Sequence, residues 1–304
     1  MSRSPLLAVA VAVAVAAVSL LACGGEPAPE TAAPAAPVAE VPAPAPTTDA
    51  DTVPVIDASP AGTPPYDFSS PSADFRLPAV LREISGLTVL DGQQLGAVQD
   101  EEGDLYAIRM TDGEPVGRIR FGRGGDYEAL ERVGDVVYVL QSDGDLFELK
   151  NWNRGKAPDT RNFETRLGAK ACDAEGLGAK GTLLYISCKE EDADGLTRVY
   201  RFDPRRAATA LYLTLDADDV PGKGALRPSA LAFHPVTGHL VLLSAGREAL
   251  ISVRPNGTVA DVWDIKPAGL EQPEGLAFLP NGDVFISSEG KSGAGRIVRF
   301  EYRG

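Results

Sequence analysis

The chain has 304 residues, of which 29 are Lys or Arg and 43 are Asp or Glu, so its formal net charge is −14 at pH 7. Such an acidic surface repels nucleic acid and anionic lipid, and this excludes both as binding partners. With only two His and three Cys, the chain also has few ligands for zinc.

The first segment, residues 1–22, has the composition of a signal peptide. One charge, Arg3, precedes an apolar run from Leu6 to Leu21 that is short for a transmembrane helix. The run ends in Leu-Leu-Ala before Cys23, which resembles the lipobox of bacterial lipoproteins. By that resemblance Cys23 becomes a lipid-modified N-terminus. In a host with two membranes, the lack of Asp directly after it implies an outer-membrane anchor facing the periplasm. The alternative is a soluble secreted protein in which Cys23 is incidental.

The second segment, residues 23–65, is rich in Pro, Ala, Thr and acidic residues, with almost no large apolar side chain before Val53. Such a composition cannot bury enough apolar surface to fold, and its prolines make it extended. We therefore predict a disordered tether that holds a folded domain, residues 66–304, away from the bilayer.

The folded domain contains five copies of a three-residue pattern, a Ser or Glu followed by a small residue and Leu. The copies begin at Ser85, Glu128, Glu175, Ser229 and Glu274. Each is followed by Gly- or Asn-containing turns and short apolar strands. Strand-rich repeats of roughly 40 to 50 residues are typical of a β-propeller, in which each repeat forms one blade.

Counting strands favours five four-stranded blades. The predicted fourth strands of the first four blades are Val116–Phe121, Phe163–Leu167, Leu211–Leu215 and Val259–Ile265. The fifth repeat has no fourth strand of its own, whereas Ala73–Leu77 is a strand without a blade. We expect that strand to pair beside Ile297–Phe300 and close the ring, which removes open sheet edges. Six blades, the alternative, would require a blade hidden in an irregular segment.

Two cysteines remain after Cys23 is assigned to lipid. Cys172 precedes the first strand of the third blade, and Cys188 follows its second strand. Antiparallel pairing of these strands would bring the two residues together, which predicts a disulfide of an exported protein, worth about 3 kcal/mol. The alternative is a pair of buried free thiols.

The repeats also predict a polar site on the propeller axis. Because the innermost strands run beside the axis, the first residues of the five copies become neighbours: Glu128, Glu175 and Glu274, with Ser85 and Ser229. The residues one step out are Glu83, Asp126, Asp173, Arg227 and Gln272, and the second strands add Asp100 and Glu289.

Converging carboxylates repel one another unless a positive charge lies among them. A Ca²⁺ ion, which prefers oxygen ligands, would meet this need, bound by Glu128, Glu175 and Glu274 with Asp126, Asp173 or Glu289. Arg227 could supply part of the charge instead. In a further alternative the glutamates accept backbone N–H groups and tie neighbouring blades together, without metal.

The five motifs with their preceding residues, over residues 70–304, resemble the SdiA-regulated family of exported bacterial propellers. They begin at Glu83, Asp126, Asp173, Arg227 and Gln272. The resemblance implies a propeller, an envelope location, a link to calcium and a likeness to phytases.

Two functions fit these observations. The first is a tethered monomeric module that binds a small ligand or an envelope protein in a Ca²⁺-dependent way. The second is a Ca²⁺-dependent hydrolase of the lactonase or phytase-like type, in which the metal activates water. The cations near the mouth, Arg227, Lys189 and Lys291, are too few for a polyphosphate substrate. The sequence does not decide whether the protein is an enzyme.

Overall fold

The computed structural model describes residues 64–168, 172–189 and 195–304. The predicted signal peptide, Cys23 and nearly all of the predicted tether lie outside these ranges. The described residues form an all-β structure of five four-stranded antiparallel sheets, with three short 3-10 turns at Ala79–Leu81, Ala217–Asp219 and Lys266–Ala268. No helix within the described ranges is long and apolar enough to cross a membrane.

The five sheets are the blades of a β-propeller, and four of them are built from consecutive strands. Blade 1 contains β2 (Ile84–Val89), β3 (Gln94–Gln99), β4 (Asp104–Arg109) and β5 (Pro115–Arg120). Blade 2 contains β6 (Tyr127–Val133), β7 (Val136–Gln141), β8 (Asp145–Lys150) and β9 (Asp159–Glu164). Blade 3 contains β10 (Ala174–Lys180), β11 (Leu183–Cys188), β12 (Leu196–Asp203) and β13 (Ala208–Asp216). Blade 4 contains β14 (Pro228–Phe233), β15 (Leu240–Ser244), β16 (Ala249–Val253) and β17 (Val259–Asp264).

Blade 5 joins the two ends of the domain, as the sequence predicted. It contains β18 (Gln272–Phe278), β19 (Val284–Glu289), β20 (Arg296–Phe300) and, as its outer strand, β1 (Ala73–Arg76). The β1–β20 register places Ala73 opposite Arg299 and Arg76 opposite Arg296. Five blades and closure by the N-terminal strand are therefore confirmed.

The sequence prediction placed the fourth strand of blade 2 too far toward the C-terminus. The strand is Asp159–Glu164 rather than 163–167, and it pairs residue for residue with β8 from Lys150 back to Asp145. Beyond it, Arg166 adopts a left-handed backbone (φ 65°) that ends the extended conformation. The buried Phe163 lies near the end of this strand instead of at its start.

The hydrophobic core of the described domain is divided into five clusters, one in each gap between neighbouring blades. Small residues after each motif residue allow the inner strands to approach closely near the axis. A Cβ on Gly86 would lie 2.8 Å from the Cα of Ala129 in the next blade, so glycine is needed there. The small second residue of the repeat therefore serves packing of the inner strands.

The N-terminal end of the described domain is fastened between blades 4 and 5. Tyr66 and Phe68 belong to the cluster between these blades. The hydroxyl of Tyr66 donates to the carbonyl of Gly282 at 2.7 Å and lies 2.8 Å from Nε2 of His234. Because Nδ1 of His234 accepts two backbone N–H groups, we assign the proton to Nε2. Burial, and then the neighbouring His239, lower the pKa of His234 to about 4.

The predicted disulfide is present. Cys172 and Cys188 are bonded, with their Cα atoms 5.0 Å apart, and both are buried between blades 2 and 3. Cys188 is the last residue of β11 and lies opposite Ala174 of β10. The bond therefore fixes the end of the blade from which Glu175 and the next residue, Lys189, extend.

Candidate axial cation site

A β-bulge at the same place in every blade positions the axial side chains. In each pair of first and second strands, the register skips the first residue of the repeat: Ser85, Glu128, Glu175, Ser229 or Glu274. A bulged residue has no partner in the ladder of hydrogen-bonded pairs, and its side chain departs from the regular up-and-down alternation of the strand. The five repeated residues are therefore structurally equivalent, as the sequence predicted.

The two serines tie neighbouring blades together. Oγ of Ser85 donates to the carbonyl of Tyr127 in blade 2 at 2.6 Å. Oγ of Ser229 donates to the carbonyl of Pro273 in blade 5 at 2.8 Å. Both serines are buried, and their hydroxyls are used in these contacts. The glutamates instead interact with other side chains of the mouth.

Lys189 is the cation among the axial carboxylates. Its Nζ lies 2.8 Å from Oε1 of Glu175, and the two side chains are 30% and 5% exposed. Burial alone would lower the pKa of the Lys189 ammonium, but the carboxylates of Glu175 and then Glu274 raise it above its usual value. The sequence offered Arg227 for this role; Arg227 is exposed, with a left-handed backbone (φ 40°).

Glu128 holds a proton at neutral pH. Burial, then the charges of Glu175 and Asp126, raise the pKa of Glu128 to about 10. Its carboxyl is hydrogen-bonded to Asp126 and to Glu175. Burial also raises the pKa of Glu175, although the Lys189 ammonium opposes this effect. The axis therefore contains an ion pair, Lys189 with Glu175, beside a neutral carboxylic acid.

Two further glutamates titrate near neutral pH. Burial raises the pKa of Glu274 to about 7 against the opposing effect of Lys189. Burial, followed by the charge of Asp100, raises the pKa of Glu289 to about 7 as well.

An outer group of acids lies on the blade 1 side of the mouth. Burial and the charges of Glu83 and Glu101 raise the pKa of Asp100. Its Oδ1 is buried and, in the part of the chain that the structure describes, has no hydrogen-bond partner. Glu83 is half-buried and forms an ion pair with Arg82 at 2.9 Å.

Three further residues predicted at the mouth form hydrogen bonds with their neighbours around the axis. Asp126 accepts a hydrogen bond from Ser142 at 2.6 Å. The carbonyl of Asp173 accepts the backbone N–H of Lys189 at 2.8 Å. The side chain of Gln272 is hydrogen-bonded to Glu274.

The chemistry of these donors suits a hard cation, since carboxylate oxygens are the ligands that Ca²⁺ prefers. In this structure the Lys189 ammonium occupies the space among these carboxylates. Among the described residues, no three Asp, Glu, His or Cys side chains stand together as a ready metal-binding group. A Ca²⁺ ion at Glu175 would therefore have to take the place of Lys189.

Fold and site define the protein as a five-bladed β-propeller with an acidic axial mouth. The chain belongs to the SdiA-regulated family, whose pattern it matches over residues 73–292. None of the curated proteins compared with it matches the chain.

Among solved structures, the chain is similar to the glutaminyl cyclase of Myxococcus xanthus. The two share 18% identity with a TM-score of 0.56, over 76% of this chain and 95% of that one. It is also similar to the PQQ-bound aldose sugar dehydrogenase of Streptomyces coelicolor, with 15% identity, a TM-score of 0.50, and coverage of 76% and 99%. At these identities the similarity concerns the fold alone.

Proposed function

We propose that this protein is a lipid-anchored β-propeller of the bacterial envelope whose axial mouth binds Ca²⁺ and, with it, a small ligand or an envelope protein. The observation that carries the proposal is the convergence of Glu128, Glu175 and Glu274 on one ammonium group, Lys189. Three blades supply the same residue type at the same bulge.

In this proposal Ca²⁺ competes with charges that the protein already contains. Ca²⁺ takes six to eight oxygen ligands, which the glutamates, Asp126, Asp173 and water can supply. Binding requires Lys189 to leave Glu175 and Glu128 to lose its proton. Apparent affinity should therefore rise with pH, because protons compete for the same carboxylates.

Calcium titration of three variants tests the proposal. Glu175→Gln removes the carboxylate that holds Lys189 and should abolish the heat of Ca²⁺ binding in calorimetry. Lys189→Met removes the internal competitor and should tighten binding. Glu301→Gln changes an exposed carboxylate away from the mouth and serves as the control. At a hundredfold excess over Kd, Ca²⁺ should stabilise the wild-type protein by about 2.7 kcal/mol. No heat and no thermal shift would leave the Lys189–Glu175 pair as a purely structural contact.

The anchor is a separate part of the proposal, supported by the lipobox-like sequence before Cys23. Cys23→Ser should move the protein from the membrane fraction to the soluble fraction of the producing cell. Retention of that variant in the membrane fraction would contradict lipidation at this residue.

A Ca²⁺-dependent hydrolase of the lactonase or phytase-like type is the second candidate. It is favoured by carboxyls whose pKa values lie far apart, Glu128 at about 10 and Glu274 at about 7, because such pairs serve as acid and base. The acidic mouth suits a lactone better than a polyphosphate. Calcium-dependent turnover of lactones or phosphate esters that is lost in Glu175→Gln would favour this candidate; no turnover would leave the binding module.

A further inference from the structure

A second cleft lies where β1 closes blade 5, beside the axial mouth. It encloses about 320 Å³ and is lined by charged and polar side chains, among them Asp74, Arg76, Glu271, Ser288, Glu289 and Arg296. Ligand sites in proteins begin at about this volume. The cleft shares Glu289 with the mouth, but Asp74, Arg76 and Arg296 come from β1 and β20, the strands that close the ring.

Most of the charges in this cleft are already paired. Arg296 binds Asp74 at 2.9 Å and donates to the carbonyl of Gly269 at 2.7 Å. Glu271 accepts hydrogen bonds from the hydroxyl and the backbone N–H of Ser292. These contacts pair one positive group with one negative group and satisfy the oxygens of Glu271 with neutral donors.

Arg76 is the positive group that remains. It lies directly opposite Arg296 in the β1–β20 register, so both side chains leave the same face of the sheet. The charge of Arg296 is compensated by Asp74. Arg76 is exposed, and within the described ranges no hydrogen bond or ion pair joins it to another side chain. Its guanidinium is therefore available to an anion in the cleft.

Glu289 is the second negative group that has no cation bonded to it. It is half-buried and lines the cleft, and within the described ranges no ion pair joins its carboxylate to a Lys or Arg side chain. The neighbouring Ser288 is committed elsewhere, since its Oγ accepts the N–H of Gln272 at 3.0 Å. A cation beside Glu289 would stabilise its carboxylate.

We propose that this cleft binds a small zwitterion, such as a free amino acid, with its carboxylate on Arg76 and its ammonium group on Glu289. A guanidinium forms paired hydrogen bonds with a carboxylate, which fixes the orientation of the ligand. The charged lining disfavours an apolar ligand, and its carboxylates disfavour a polyanion. The inference needs no bound metal, and Arg76 lies outside the proposed Ca²⁺ site.

Calorimetric titration of the protein with L-alanine and L-glutamine, in EDTA, tests the inference. Acetate and ethylammonium, which carry one charge each, serve as partial ligands. We expect an amino acid to bind with Kd near or below about 1 mM and both partial ligands to bind at least about tenfold more weakly. Arg76→Gln and Glu289→Gln should each weaken binding by about tenfold or more, whereas Arg154→Gln and Glu301→Gln, which change exposed charges elsewhere, should not.

Failure of this inference is distinguishable from failure of the Ca²⁺ proposal. If neither amino acid binds, or if Arg76→Gln binds as the wild type does, the zwitterion site is refuted whatever Ca²⁺ does. If the amino acid binds in EDTA and Ca²⁺ gives no heat, only the axial metal is refuted. Acetate binding as tightly as L-alanine would also overturn the inference, because the ammonium group would then contribute nothing.

Discussion

The proton on Glu128 gives the sharpest test of the axial site. In the unfolded chain its pKa is near the ordinary value of 4.5, whereas burial and the charges of Glu175 and Asp126 raise it to about 10 in the folded protein. A carboxyl with a raised folded pKa contributes stability that is fully present below pH 4.5 and is lost as the pH rises toward 10. Glu128→Gln replaces the neutral acid with an amide of similar shape that does not ionise.

The size of this change in unfolding free energy follows from the pH range between the unfolded and folded pKa values of Glu128. Between pH 6 and pH 8 the wild-type protein should lose about 1.4 kcal/mol of unfolding free energy per pH unit through this group, or about 2.7 kcal/mol in total. The Glu128→Gln variant does not undergo this loss. Its unfolding free energy relative to the wild type should therefore rise by about 2.7 kcal/mol between pH 6 and pH 8. For a domain of this size the relative change in Tm is about 5 to 11 °C.

Urea unfolding of both proteins at pH 6, 7 and 8, in EDTA to keep Ca²⁺ away, measures the difference. Glu301→Gln, an exposed carboxylate, should follow the wild type at every pH. Other titrating groups are common to all three proteins and cancel in the comparison. A difference between Glu128→Gln and the wild type that stays constant with pH would mean that Glu128 ionises normally, which would refute the desolvated axial cluster.

Two further predictions concern the stability of the ring. Replacing Cys172 and Cys188 with Ala should lower the free energy of unfolding by about 3 kcal/mol, and an unchanged urea midpoint would contradict this. His234, with a folded pKa of about 4 below its usual 6.5, contributes stability that is present above pH 6.5 and lost as the pH falls toward 4. His234→Asn keeps an acceptor for the turn and should reduce that acid loss by about 3 kcal/mol, as unfolding between pH 7 and pH 4 would measure.

The fold was accessible from the sequence because a propeller repeats its local pattern. Alternating apolar residues, turn glycines and five copies of one motif fix the blade count without knowledge of any long-range contact. The closure by β1 followed from counting strands. The error in blade 2 arose at an edge, where the pairing length of β8 and the left-handed Arg166 set the end of the strand, and neither has a clear sequence signal.

The site was accessible only in part. Ring symmetry predicted that Glu128, Glu175 and Glu274 would be neighbours, because equivalent residues of a propeller face the same axis. Lys189 follows β11 directly, next to Cys188, and that position was a signal for its entry into the mouth. Its pairing with Glu175 depends on side-chain direction, which the sequence leaves open. The cleft at Arg76 could not be predicted, because its lining comes from the two ends of the domain.

The sequence by itself determined the blades, their number, the disulfide pairing and which residues share the axis, since all of these follow from a short periodic pattern. Tertiary structure decided how charge is distributed around that axis. The bulges aim the side chains inward, Lys189 pairs with Glu175, and burial leaves Glu128 with its proton. Charge interactions depend on distance and solvent exposure, which appear only when the ring is closed.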